Sequence, residues 1–178
     1  LDQAVFSYFG LTEDEQTLIC ESVEILMPSI RPRSFRSLDT PAQQIANTTN
    51  FDNYAQALGS ALTLWRSRTG GKGHFSVNVV TSDPRRAGPS GVVRIAYADS
   101  PTSDPKLDST VSDDLVLSTL KLLRDVGLRT VSSGASLTLV PDAHLWMDGS
   151  LYLVRPLTKR SWSVRQALRG AERIVRTV

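Results

Sequence analysis

The sequence contains a single cysteine, Cys20, in 178 residues. One thiol cannot form an internal disulfide, so the fold does not depend on an oxidising compartment and we expect a cytoplasmic location. Long apolar runs are also lacking. The longest are a handful of residues, whereas a bilayer-spanning helix needs roughly 18, so we predict no membrane span. Because the chain begins at Leu1 without Met or a targeting pattern, we expect it to be an excised or processed piece of a longer protein.

The residues that usually carry catalysis or bind metals are few. His74 and His144 are far apart in the sequence, with no cysteines or paired carboxylates at ligand spacing, which favours packing or surface roles over a metal site. The glycines at 70–73 do not match the phosphate-loop pattern and follow a predicted helix, so a helix stop explains them. No recognisable set of nucleophile, base and orienting residue occurs. We therefore predict no cofactor and no catalytic residue, although a small enzyme with a site assembled from scattered residues such as Asp83, His74 and Asp142 stays open.

What the sequence does have is a basic end. Residues 151–178 contain seven Lys or Arg and one acid, a net charge of about +6, whereas the other 150 residues contain 13 basic and 17 acidic residues, about −4. Apolar residues recur there at spacings of three and four, which predicts an amphipathic helix with the apolar side Val164, Leu168, Ala171, Val175 and Val178. Another side of the same helix carries four arginines: Arg165, Arg169, Arg173 and Arg176.

These cations predict a surface that binds nucleic acid. Arginine stays charged, and its planar guanidinium group matches phosphate oxygens in pairs. The backbone amides at the start of the final helix would add a phosphate cradle beside Trp162, which could stack on a base or pack in the core. The candidate nucleic-acid-binding residues lie on this helix, just before it, and in a long loop: Arg155, Lys159, Arg160, Trp162, Arg165, Arg169, Arg173, Arg176, Arg85 and Arg86.

The basic end could also have a role that does not involve nucleic acid. The arginines could pair with acids of the same chain, for example with those of the second predicted helix: Glu13, Asp14, Glu21 or Glu24. They could instead dock an acidic partner subunit, which makes a protein-interaction module the alternative to DNA binding. A membrane surface is a weaker possibility, and we expect no membrane partner.

The periodicity along the chain predicts an α+β fold with a helical N-terminal portion, a mainly antiparallel sheet and the amphipathic final helix. Gly10 ends a first short helix, and Thr12 with Glu15 forms a capping box for a second helix that Pro28 stops. A connector rich in Pro, Ser and Arg follows up to residue 50.

We expect two parts, a helical segment with its connector over 1–50 and an α+β domain over 51–178. The elements predicted in the second part are a helix over 51–65, strands at 74–81 and 92–98 joined by a long basic loop, a helix over 113–125, and short strands at 128–131, 137–140, 143–147 and 151–154. Asp148 and Gly149 predict a tight hairpin turn between the last two strands.

Two stretches resemble a known family. The chain contains LDQAVF at residues 1–6 and YFGLTEDE at residues 8–15, followed by Leu18 and Ile19. This opening resembles a segment that follows the catalytic domain in adenine-N6 DNA methyltransferases of bacterial restriction and phage-defence systems. The sequence LYLVRP at 151–156, with Arg160 and Trp162, is similar to the end of such polypeptides.

The resemblance carries no catalytic residue with it. Such methyltransferases use a Gly-rich loop for the methyl donor and an Asp- or Asn-Pro-Pro-aromatic catalytic sequence. The nearest stretches here, Asp83-Pro84-Arg85 and Asp104-Pro105-Lys106, do not match. The resemblance therefore implies a non-catalytic DNA-binding or assembly module downstream of a catalytic domain, with duplex DNA or a partner subunit of a defence complex as its binding partner.

Overall fold

The computed structural model describes residues 2–30, 40–81, 90–98, 110–128 and 143–177. The α-helices in this part of the chain are α1 (Asp2–Tyr8), α2 (Glu13–Glu21), α3 (Met27–Ile30), α4 (Thr48–Arg68), α5 (Asp113–Leu128) and α6 (Val164–Thr177). The strands are β1 (His74–Thr81), β2 (Ser90–Ala98), β3 (Thr110–Val111), β4 (Ala143–Met147) and β5 (Ser150–Pro156). The predicted α+β class is confirmed.

The helices α1 to α3 form what we call the N-terminal helical segment, residues 2–30. Thr12 and Glu15 make the predicted capping box, in which the Thr12 hydroxyl accepts from the Glu15 amide and the Glu15 carboxylate accepts from the Thr12 amide. A π-helical turn, Ser22–Leu26, then joins α2 to α3, so the helix continues through Pro28 to Ile30. The prediction that Pro28 stops it is wrong, because the wider turn before the proline relieves the clash between its ring and the carbonyl four residues earlier.

Helix α4 begins and ends at signals that the sequence carries. Asn47 and Asn50 form a capping box at its start. After its last turn, the amide of Gly70 donates to the Ser67 carbonyl with φ at +78°, a backbone conformation that favours glycine. The prediction that these glycines stop a helix is confirmed.

The five strands form one sheet in the order β3-β1-β2-β5-β4. The short strand β3 is parallel to β1, and the other neighbouring pairs are antiparallel. Between β4 and β5, Asp148 and Gly149 have φ of 48° and 69°, as a type I′ hairpin turn requires. The mainly antiparallel sheet and this turn are therefore confirmed.

Apolar layers cover both faces of the sheet. On one face, α4 and α6 pack against inward-facing residues of three strands: Val77, Val79, Val93, Ile95, Leu151 and Leu153. On the other face, Val116 of α5 packs with a second set: Val80, Val92, Tyr152 and Val154. Strand β5 contributes to both layers, so it is a rigid support for the helix that follows it.

The other predictions about the fold concern two short strands between residues 128 and 140, the boundary near residue 50 and the absence of a membrane span. The predicted strand at 137–140 and most of the one at 128–131 lie outside the described residues, while residue 128 itself ends α5. The predicted boundary near residue 50 stays a prediction. Among the described helices, none has the length and apolar character needed to cross a membrane.

Candidate nucleic-acid interface

A short 3-10 turn, Lys159–Trp162, leads from β5 into α6. An earlier stretch of the chain holds this turn in place, because the Lys159 amide donates to the Gln44 carbonyl and the Ala46 amide donates to the Leu157 carbonyl. These backbone hydrogen bonds fix where α6 begins relative to the sheet.

Trp162 anchors the start of α6 in the core. Its side chain is 0% exposed, and its indole Nε1 donates to the Pro156 carbonyl at 2.9 Å. Its ring makes edge contacts with Phe51 and Tyr54 of α4, with centroid distances of 4.7 and 5.2 Å. Aromatic pairs of this geometry add to the burial of the rings, so α6 has a well-defined position.

Helix α6 is amphipathic, as predicted. Its buried side consists of Val164, Ala167, Gly170, Ala171 and Ile174. Leu168 and Val175, which the sequence assigns to the apolar side, are half-buried. The exposed side carries what we call the arginine row: Arg165, Arg169, Arg173 and Arg176.

A carboxylate of the same chain already occupies the start of α6. Glu21, the last residue of α2, accepts from the amides of Val164 at 2.6 Å and Arg165 at 3.2 Å. The amides of the next two residues donate to Ser163. The four amides that a helix start leaves without partners are therefore all satisfied. The predicted phosphate cradle is wrong in this respect, because its amides are not open to a ligand in this structure.

Glu21 lies where the N-terminal helical segment meets α6. Burial raises the pKa of its carboxyl above the ordinary value, and the hydrogen bonds from the Val164 and Arg165 amides oppose this shift. A shallow hollow beside this contact is lined by both helices: Leu18, Ser22, Arg165, Leu168, Arg169 and Glu172. The contact thus combines a charged helix cap with limited apolar packing.

On α6 and the turn before it, three exposed arginines have side chains without a polar partner among the described residues. The guanidinium groups of Arg160, Arg165 and Arg169 make no hydrogen bond or ion pair there. Arg176 pairs with Glu172 one turn earlier, an exposed contact worth only about 0.3–0.5 kcal/mol. The alternative of pairing with acids of the second helix is therefore wrong for the side chains of Arg160, Arg165 and Arg169, although Glu21 of that helix does bind backbone amides of α6.

The structure places two of the predicted contact residues in the interior. Arg155 is 3% exposed, its guanidinium group lies 5.0 Å from the centroid of the Tyr54 ring, and its Nη1 donates to the Ser161 carbonyl at 2.9 Å. It points to the same face of β5 as Leu153, two residues earlier, as strand alternation dictates. Arg155 and Trp162 cannot reach a nucleic acid in this structure, and the prediction is wrong for both.

The other predicted contact residues differ in how far their side chains are exposed. Lys159 is half-buried, and its Nζ donates to Gln44 Oε1 at 2.9 Å. Arg160 and the whole arginine row are exposed. Arg85 and Arg86 lie outside the described residues. The structure therefore brings five exposed arginines onto α6 and the turn that precedes it.

Sequence reasoning missed Glu21 as the cap of α6. The two contacting residues, Glu21 and Val164, are 143 positions apart, so no local pattern could pair them. A weaker signal exists, because α6 has no acidic residue in its first turn. The positive end of such a helix favours an anion supplied from elsewhere.

The chemistry available at this surface is anion binding. In the described ranges, no three His, Cys, Asp or Glu side chains come together as a metal site requires. His74 is half-buried in β1, and His144 is exposed on β4. Guanidinium groups on a rigid helix can bind phosphate or carboxylate oxygens through charge-assisted hydrogen bonds.

Comparison with family models, curated proteins and solved structures finds no match for this chain. Its function therefore has to be inferred from this surface and from the sequence resemblance.

Proposed function

We propose that this chain is a non-catalytic DNA-binding or assembly module of a DNA modification or phage-defence system, in which Arg160 and the arginine row contact the phosphates of duplex DNA. One observation carries the proposal: the guanidinium groups of Arg160, Arg165 and Arg169 are exposed and have no polar partner among the described residues. The resemblance to the post-catalytic segment of adenine-N6 DNA methyltransferases supports DNA as the anion. A cytoplasmic location belongs to the same proposal.

The dimensions of the arginine row suit a nucleic-acid backbone. Arg165 and Arg176 are 11 residues apart on α6, which corresponds to about 16 Å along the helix axis. A DNA strand presents a phosphate about every 3.4 Å along the duplex axis, so the row spans several phosphates. Because α6 is fixed to the core by Trp162, its arginines keep a common orientation and little backbone freedom is lost on binding.

The test is fluorescence anisotropy of labelled duplex DNA over a series of salt concentrations. The variant changes three residues of the row: Arg165→Gln, Arg169→Gln and Arg173→Gln. We expect its affinity to fall and the slope of log K against log salt to decrease by roughly three, because each lost phosphate contact removes about 0.9 from the slope.

A matched control variant separates the loss of phosphate contacts from the loss of net charge. Arg68, Lys72 and Lys121 are exposed cations on other parts of the molecule, and changing all three to Gln removes the same charge. We expect this variant to keep nearly the wild-type salt slope. Equal losses in the two triple variants, or no binding by the wild type at low salt, would contradict the proposal.

The α2–α6 contact favours a second candidate function, the docking of an acidic partner subunit on α6. Glu21 shows that an acidic helix of this chain packs against α6. The same anisotropy assay with labelled poly-glutamate of matched charge tests it. Tighter binding of poly-glutamate than of duplex DNA, with loss in the arginine variant, would replace DNA binding by protein docking.

A further inference from the structure

The N-terminal helical segment exposes an unusual amount of apolar side chain. None of the described side chains in α2, the π-helical turn or α3 is buried. Large apolar residues between 41% and 84% exposed recur along the whole segment: Val5, Tyr8, Phe9, Ile19, Val23, Met27 and Ile30. An exposed apolar surface that extends over several helical turns is typical of a protein interface.

Four of these residues form what we call the apolar stripe: Ile19, Val23, Met27 and Ile30. Their spacings of four, four and three residues bring them to one side of the helix. The segment meets α6 through other residues, Leu18 and Ser22, which line the hollow beside Arg165. The segment therefore has one side on the body of the protein and another side without cover among the described residues.

Charge decides what kind of partner could cover the apolar stripe. Residues 2–30 contain six acids and no Lys or Arg: Asp2, Glu13, Asp14, Glu15, Glu21 and Glu24. Two copies of this segment face to face would bring like charges together, which disfavours a second copy of the chain as the partner. A helix with an apolar side and flanking Lys or Arg would complement both the stripe and the acids.

The segment is also fixed in place before any partner arrives. Glu21 caps α6 through two hydrogen bonds, and the Ser29 hydroxyl accepts from the Ala42 amide at 3.1 Å. A surface held at both of these points loses less conformational entropy on binding than a free helix would.

We propose that the N-terminal helical segment is a docking surface for a basic amphipathic helix of a partner protein. The partner's apolar side covers the apolar stripe, and its cations pair with exposed acids of the same segment such as Glu13 and Glu24. This surface has the opposite charge to the arginine row, so the inference does not depend on DNA binding.

The experiment uses the full chain and a labelled synthetic peptide of about 18 residues, five helical turns, with Leu on one side and Lys on the other. Binding is followed by fluorescence anisotropy. We expect the Leu/Lys peptide to bind, and the same peptide with Glu in place of Lys not to bind. The variant Val23→Gln with Met27→Gln should weaken binding by about tenfold or more.

A matched variant controls for general loss of apolar surface. Leu64 and Leu117 are exposed apolar residues on α4 and α5, and changing both to Gln should leave binding unchanged. The stripe variant is expected to fold, because Val23 and Met27 are exposed and Gln is a good helix former. Circular dichroism checks this.

Three outcomes would overturn the inference: no binding of the Leu/Lys peptide, equal binding by the stripe variant, or equal binding of the Leu/Glu peptide. Sedimentation velocity tests whether a second copy of the chain is the partner. Self-association that disappears in the Val23→Gln, Met27→Gln variant would show that a second copy covers the stripe instead.

Discussion

The N-terminal helical segment and the C-terminal unit from β5 to α6 carry apolar residues in opposite surroundings. In α2 and α3 no side chain is buried, whereas in β5 every residue from Ser150 to Arg155 is buried. Their charges are opposite too, with no basic residue in 2–30 and seven in 151–178. Apolar periodicity therefore indicates which side of a helix can be buried, but it does not indicate which element or molecule covers that side. For α6 the cover is α4 and the sheet, while the N-terminal helical segment has no such cover among the described residues, and we propose that a partner protein supplies it.

We expect the largest loss of stability when an apolar side chain that is fully buried is removed. Trp162→Ala removes a core anchor that contacts Phe51 and Tyr54, and we expect it to lower the free energy of unfolding by about 3–5 kcal/mol. Phe9→Ala in the N-terminal helical segment and Trp146→Ala on β4, both more than 60% exposed, should change it by less than about 0.5 kcal/mol. Urea unfolding measures all three. Similar losses at covered and uncovered positions would remove the distinction between the two regions.

The second prediction compares two arginines of the basic end. Arg155→Ala leaves the Ser161 carbonyl without its donor and opens a cavity over Tyr54, so we expect a loss of about 3 kcal/mol in the free energy of unfolding. Arg165→Ala should cost less than about 0.5 kcal/mol because its side chain is exposed. In the DNA-binding assay we expect the opposite ranking of the two variants: Arg165→Ala should weaken DNA binding by the folded chain more than Arg155→Ala does. A stable Arg155→Ala protein with weakened DNA binding would restore Arg155 as a contact residue.

The third prediction concerns the contact that joins the two regions. Glu21→Ala removes the acceptor for the amides of Val164 and Arg165, and loss of a helix cap costs about 1 kcal/mol. Glu24→Ala is the matched control, because Glu24 is an exposed acid of the same segment with no polar partner among the described residues. Hydrogen exchange of the Val164 and Arg165 amides should accelerate in the Glu21 variant alone. Equal exchange in both variants would mean that the cap does not hold the segment to α6.

The sequence could predict much of this fold because its strongest signals are local. The capping box of Thr12 and Glu15, the helix stop at Gly70 and the turn at Asp148 and Gly149 each depend on residues a few positions apart. Pro28 shows the limit of such rules. Whether a proline ends a helix depends on the width of the preceding turn, and no rule for proline alone supplies that.

The candidate site was less predictable, because it depends on tertiary contacts. The arginine row follows from helical periodicity, so its exposure could be predicted. Its charge groups Arg155 with the other cations, and the predicted strand ends at residue 154. The structure extends β5 to Pro156, which turns the Arg155 side chain inward. Charge alone makes Glu21 one of several candidate partners for the final helix, but its role as the cap of α6 could not be predicted, since its partners are more than 140 residues away.

The smallest predicted effect is a pH dependence at Glu21. Burial raises the pKa of this carboxyl in the folded chain, so between the unfolded and folded pKa values the folded chain binds more protons than the unfolded chain. The stability that this group contributes is therefore complete below its unfolded pKa and is lost as the pH rises through its folded pKa. The hydrogen bonds from the Val164 and Arg165 amides favour the charged carboxylate and limit the size of the effect.

Glu21→Gln removes this titration while keeping the shape of the side chain. Relative to the wild type, the variant should gain stability as the pH rises from about 4 to 7, since only the wild type has to ionise a half-buried carboxyl. Urea unfolding of the wild type, Glu21→Gln and Glu24→Gln at each pH isolates the difference, because the other carboxyls are common to all three proteins. If Glu21→Gln instead loses stability relative to the wild type over this range, the hydrogen bonds from Val164 and Arg165 outweigh burial. The junction between the acidic and basic regions would then be strongest with Glu21 charged.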